Sequence, residues 1–159
     1  MTFLPWLDNG NPWYHISGCD EMRTALEHAV NVHKALGHAT RLRILAMLRG
    51  GELCVCQLNA VLGVAPSTLS AHLAELKDAG LVAERKSSRW VYYRLTGGEA
   101  AEVLQALWTA LADDPQLELD AQLLARVAEY PVEALRQPGF DVAGLRRACC
   151  ADTSKESCE

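Results

Sequence analysis

Pro66-Ser67-Thr68-Leu69-Ser70-Ala71-His72-Leu73-Ala74-Glu75-Leu76-Lys77-Asp78-Ala79-Gly80-Leu81-Val82 is the stretch on which the fold turns. Pro66 suits the first turn of a helix, where its missing N–H costs nothing. Leu69, Leu73 and Leu76 recur at helical spacing and form one buried face. Gly80 ends the helix. Ser67, Thr68, Ser70 and His72 lie on or near its early, polar side. Ser67 equally suits an N-cap, since its hydroxyl can accept from a free backbone N–H.

Upstream, a shorter helix over about 54–62 is broken by Gly63. Two short helices joined by a tight glycine-containing turn form a helix-turn-helix, the second helix being the reading one. Downstream, Leu81-Val82-Ala83-Glu84-Arg85-Lys86 and Trp90-Val91-Tyr92-Tyr93-Arg94-Leu95 are β-prone runs joined by Ser87-Ser88-Arg89. Alternation sets Trp90, Tyr92 and Arg94 on one face and Val91, Tyr93 and Leu95 on the other. A basic hairpin after a helix-turn-helix is a wing. Lys86 and Arg89 suit contacts to a nucleic-acid backbone, and Trp90 and Tyr93 suit packing. Arg85 and Arg94 are read either as further contacts or as a solvated strand face.

Further out, Asp20 is the expected N-cap of a helix over 21–36, with an apolar stripe of Met22, Ala25, Leu26, Ala29 and Val30. A helix from Ala39 or Thr40 through Leu48 buries Leu42, Leu45, Ala46 and Leu48, and Gly50-Gly51 stops it. Amphipathic helices are expected over 99–112 and 117–130, separated by Asp113-Asp114-Pro115. The fold class is therefore mainly α with a small β-hairpin: a winged helix-turn-helix. It divides into an irregular arm (1–20), a DNA-binding domain (21–112), to which the resemblance given below adds dimerisation, and an acidic, cysteine-containing helical extension (113–159).

Half of the 159 residues are hydrophobic, enough for a sizeable core. No apolar run approaches the roughly 18 residues needed to span a bilayer. The first residues lack the basic start and long apolar run of a signal peptide. A cytoplasmic protein without membrane contact is expected. The net charge of −5 is unevenly spread. Residues 61–95 carry five basic and three acidic groups, whereas 96–159 carry five basic and twelve acidic. The acid sits in the tail, leaving the middle able to face phosphate.

Six cysteines, Cys19, Cys54, Cys56, Cys149, Cys150 and Cys158, then need a reading. In a reducing compartment, clustered cysteines more often bind metal or react than form structural disulfides. Cys54 and Cys56 are two apart. On a regular helix they point to nearly opposite sides, so sharing one ion needs an unwound helix start. A helix N-terminus also favours thiolate.

Three motifs, in order, carry a resemblance over about 23–112: Glu52-Leu53-Cys54-Val55-Cys56-Gln57-Leu58, the stretch 67–82, and Arg89-Trp90-Val91-Tyr92-Tyr93-Arg94-Leu95. The chain resembles the ArsR/SmtB family of winged-helix metal-sensing repressors, and its arsenic-responsive branch in particular. The resemblance implies a homodimer that binds double-stranded operator DNA. It also implies trivalent arsenic or antimony as inducer, with no organic cofactor. The first helix and the one near 99–112 resemble the family's dimer-forming helices.

Departures are informative. The box's usual aspartate is Gln57. A third cysteine present in some members is Asn59 here, and a basic residue before the histidine is Ala71. Soft trivalent arsenic prefers thiolate, and three sulfurs make a full set. Cys54 and Cys56 supply two. The vicinal Cys149 and Cys150 are the first choice for the third; Cys19, Cys158 or no further protein thiolate are the alternatives.

Rival readings on the same scaffold are a redox sensor, through a disulfide or persulfide, and a cadmium, lead or zinc sensor. A DNA-binding protein indifferent to metal is a plainer reading. A thiol enzyme would need a phosphate-cradling loop beside a nucleophilic cysteine, or a Cys-x-x-Cys at a strand–helix junction. Neither occurs in the sequence, so an enzyme is not expected.

Overall fold

The computed structural model describes residues 24–97, 99–137, 140–145 and 147. The expected arm at 1–20 and Cys19, Cys149, Cys150 and Cys158 lie outside the described residues. Six α-helices and three strands run in the order α1 (Ala25–Leu36), α2 (Ala39–Met47), β1 (Leu53–Cys54), α3 (Val55–Leu62), α4 (Pro66–Asp78), β2 (Val82–Ser87), β3 (Trp90–Leu95), α5 (Glu99–Ala110) and α6 (Pro115–Ala128).

The start of α1 differs from the sequence expectation. Thr24, not Asp20, is the N-cap. Its hydroxyl accepts from the Glu27 N–H at 3.2 Å, and Glu27 accepts in return from the Thr24 N–H at 2.8 Å. This reciprocal pair satisfies two otherwise free donors. The buried residues of the helix are Val32 and Ala35. Of the expected stripe, Ala25, Leu26, Ala29 and Val30 face away from the core, with Leu26 74% and Val30 43% exposed, and Met22 lies outside the described residues. Periodicity finds an apolar face but does not say which body covers it.

In α2 the buried side chains are Ile44, Leu45 and Met47, with Leu48 just beyond; Leu42 and Ala46 are only partly covered. His38 caps this helix, its Nδ1 accepting from the Thr40 N–H at 3.1 Å. The turn from α3 to α4 rests on Gly63, whose φ of 62° is left-handed. A glycine adopts it without the Cβ penalty. The α3 face (Leu58, Val61), the α4 face (Leu69, Leu73, Leu76) and Leu81 meet Ile44 and Leu45 in one core.

Strands β2 and β3 pair antiparallel from Val82↔Leu95 to Ser87↔Trp90, forming the wing. A third strand was not expected. β1 pairs with β3 through Leu53↔Tyr93 and Cys54↔Tyr92, so the sheet order is β1-β3-β2. Two residues give no periodicity to read.

Beyond the wing, α6 starts at Pro115 with Asp114 as its cap, and packs on both α2 and α3. A buried ion pair fixes it. Arg43 of α2 donates to both oxygens of Asp120 at 2.6 and 2.7 Å, and Asp120 is 2% exposed. Gln116 donates a third bond at 3.0 Å. A short 3-10 turn, Ala134–Arg136, also reaches α3. No helix among the described residues is long and apolar enough to cross a membrane.

Candidate sensor site and nucleic-acid interface

Cys54 closes β1 and is the N-cap of α3, with φ −79° and ψ 155°. That extended conformation swings its side chain off the helical path. It resolves the spacing problem that a regular helix would pose. The Cα atoms of Cys54 and Cys56 are 5.4 Å apart, and the two sulfurs are joined as a disulfide. Both residues therefore deliver sulfur to one point. The Cys54 N–H donates to Gln57 Oε1 at 2.9 Å, which gives the departure at Gln57 a structural role. Cys54 is 1% exposed, and Cys56 is half-buried.

The pair opens on a groove of about 820 Å³ between α3, α4 and the wing. Leu135, Arg136, Val142 and Ala143 of the C-terminal region form its far wall. Asn59 lines it too, one turn after Cys56, and its Oδ1 is buried without a hydrogen-bond partner among the described residues. Trp90 carries two guanidinium groups: Arg89 at 5.1 Å and Arg136 at 5.5 Å from its ring centre. Such stacking fixes cation and ring together, so Trp90 packs, as expected. Tyr93 is 9% exposed and bonds Glu84 through its hydroxyl. No three histidine, cysteine or carboxylate side chains gather into a metal-holding group among the described residues.

At the reading helix, Ser67 is not the cap. Ala65 is, and it makes no side-chain hydrogen bond. Ser67 and Thr68 stand exposed in the first turn of α4. The Ser70 hydroxyl donates back to the Pro66 carbonyl at 2.9 Å, leaving its lone pairs outward. His72 sits half-buried on the flank, its ring 4.5 Å from that of His38. Burial, and then the neighbouring His38 and Arg41, hold its pKa below the usual histidine value.

On the wing, Lys86 and Arg89 are exposed and neither makes an ion pair among the described residues, Arg89 being held by its stacking on Trp90. Arg85 is committed elsewhere. It donates to both oxygens of Glu52 at 3.0 and 2.6 Å, and this pairing lowers the Glu52 pKa. Spacing alone could not tell Arg85 from Arg89, because Glu52 is far away in sequence.

A helix-turn-helix with an exposed first turn and a basic hairpin beside it defines a winged-helix DNA-binding regulator. Residues 38–84 match the family described as bacterial regulatory protein, arsR family. The chain is 40% identical over 103 residues to the arsenic resistance transcriptional regulator ArsR1 of Pseudomonas putida, covering 63% of this chain and 80% of that one. It is 39% identical over 133 residues to the arsenical resistance operon repressor of Escherichia coli K12, covering 81% and 94%. It is 33% identical over 90 residues to the biofilm growth-associated repressor of Xylella fastidiosa, covering 57% and 79%. Among solved structures, HlyU of Vibrio cholerae superposes with a TM-score of 0.52 at 36% identity, covering 58% of this chain and all of that one. The chain belongs to the ArsR family of DNA-binding transcriptional regulators.

Proposed function

We propose that the protein is an arsenite- and antimonite-responsive repressor. It holds operator DNA as a homodimer and releases it when the Cys54 and Cys56 thiolates bind trivalent arsenic. The observation that carries this reading is the meeting of the two sulfurs at the start of α3. Thiolates converging on one point suit a soft trivalent ion, and no distortion of a regular helix is needed to bring them together. Relatives whose names refer to arsenic resistance support the same ligand.

The DNA contacts are assigned to Ser67, Thr68, Ser70 and His72 on α4 and to Lys86 and Arg89 on the wing. The exposed apolar stripe of α1, with Leu26 and Val30, is the surface offered to a second copy. A two-fold dimer places two reading helices in successive major grooves at fixed separation. α3 leads through Gly63 straight into α4. Ligation that shifts the start of α3 therefore shifts the reading helix, and the inducer selects the state that binds DNA less well.

A second reading has its own observation. The pair Cys54–Cys56 is joined as a disulfide in the structure, so thiol oxidation could trigger the same element. Fluorescence anisotropy on operator DNA separates the two. Under reductant, arsenite should release the wild type and leave Cys54→Ser/Cys56→Ser bound, the response falling by more than an order of magnitude. Release of wild type by peroxide or polysulfide, with arsenite inert, would transfer the function to oxidation. In the same assay, Lys86→Ala/Arg89→Ala should flatten the salt dependence by roughly one unit of log–log slope per cation.

A further inference from the structure

Trivalent arsenic has three positions to fill, and the start of α3 supplies two thiols. Residue 59 stands one turn beyond Cys56, so the two share a helix face. Asn59 lines the same groove as both cysteines, and beneath that lining its side-chain carbonyl oxygen is buried with no partner among the described residues. Leaving such an acceptor unsatisfied is costly, and native structures give nearly all of them a partner from the protein, from water or from a bound group.

Arsenous acid offers the matching donor. Two of its three hydroxyls condense with the reduced Cys54 and Cys56 thiols. Two As–S bonds form and two As–O bonds break. Each thiol proton leaves with a hydroxyl as water, and the arsenic stays trivalent throughout. One As–OH remains, and a hydroxyl is a hydrogen-bond donor. We propose that Asn59 Oδ1 accepts from that remaining hydroxyl, so that the site is closed by an amide oxygen and needs no third protein thiolate. The inference rests on the arsenic reading above and specifies how its third position is filled.

This assignment predicts selectivity that a merely structural asparagine would not produce. Phenylarsenous acid has only two hydroxyls. Both are consumed by Cys54 and Cys56, and the third position is carbon, which offers Asn59 nothing. Asn59→Ala should therefore weaken arsenite binding by about tenfold, the usual worth of one lost hydrogen bond, while phenylarsenous acid binds as in wild type.

The experiment is titration of the reduced full-length chain with each arsenical, read by direct binding and by X-ray absorption at the arsenic edge. Wild type with arsenite should show two sulfur neighbours and one oxygen, unchanged in Cys149→Ser/Cys150→Ser. Thermal unfolding and operator affinity without arsenical check that Asn59→Ala is folded; Asn59→Ser is the second variant. Three sulfur neighbours in wild type, falling to two when Cys149 and Cys150 are removed, would give the position to the tail and overturn the proposal. Equal weakening of both arsenicals by Asn59→Ala would also overturn it. Failure of the arsenic reading looks different: arsenite binding would then be indifferent to Cys54→Ser/Cys56→Ser, and the Asn59 assignment would fall with it.

Discussion

The two helices of the reading unit begin in opposite ways. The start of α3 is closed: Gln57 takes the Cys54 N–H, β1 pairs that end to the wing, and α6 packs over the helix. The start of α4 is open: Ala65 makes no side-chain cap, and Ser67 and Thr68 face solvent. An exposed helix start with free N–H groups is a place for a phosphate. On the proposed function, the start of α3, with its two sulfurs on the groove, is where the soft ion binds. The two N-caps, Cys54 and Ala65, lie eleven positions apart, and the backbone donor covered at one end is left free at the other.

The largest expected effect comes from breaking the closed end. Arg43 is 24% exposed in its side chain and Asp120 only 3%, so Arg43→Ala strands a carboxylate in the interior beside Gln116. Removing one partner of a buried pair costs about 3–5 kcal/mol. Urea unfolding should show that loss. Arg43→Met with Asp120→Leu should recover most of it, because neither charge is then left alone. A loss below about 1 kcal/mol for the single variant would mean that α6 does not clamp α2 and α3 as described.

Much of this contrast is legible in the sequence. Leu69, Leu73 and Leu76 announce α4 because three leucines at helical spacing have one explanation. Gly63 and Gly80 mark both its limits. The wing follows from alternation alone. What escaped is what depends on distant partners. Leu26 and Val30 read as an apolar stripe, and periodicity is blind to the body that covers it. Arg85 read as free because Glu52 is 33 positions away. His38 as a cap and Asn59 as an orphan acceptor are visible only once the backbone places their neighbours. The convergence of Cys54 and Cys56 requires an unwound helix start, and the ψ of 155° at Cys54 supplies it.

The open end can be closed deliberately. Ala65 already has the extended backbone that an N-cap needs, with φ −59° and ψ 141°. Ala65→Ser should stabilise the fold by about 1 kcal/mol by accepting from a free N–H of α4. Ala65→Asp should stabilise comparably, and its carboxylate is favoured by the helix dipole. The two should diverge on DNA. The serine variant keeps a neutral start, whereas the aspartate sets a negative charge where phosphate is expected and should weaken operator binding several-fold more. Equal affinities for the two variants would show that phosphate does not approach this end of α4.

The smallest effect concerns the tie between α4 and the start of α2, where His72 packs on His38. His72 is held below its ordinary value of 6.5, first by burial and then by the charges of His38 and Arg41; Glu75 opposes them. A histidine depressed in the folded state is protonated more readily when unfolded. Its contribution to stability is therefore present above about pH 6.5 and is lost as pH falls through the folded value. His72→Gln should flatten the decline in stability between about pH 8 and about pH 5 without steepening it anywhere. His72 is largely solvent-screened, so the change should be modest, a shift in slope rather than in fold. Protonation also removes the ring's ability to accept, and a positive ring beside Arg41 would push α4 away from the cap at His38. If the wild type and His72→Gln lose stability in parallel as the pH falls, the ring pair between α4 and the start of α2 carries no proton-linked energy.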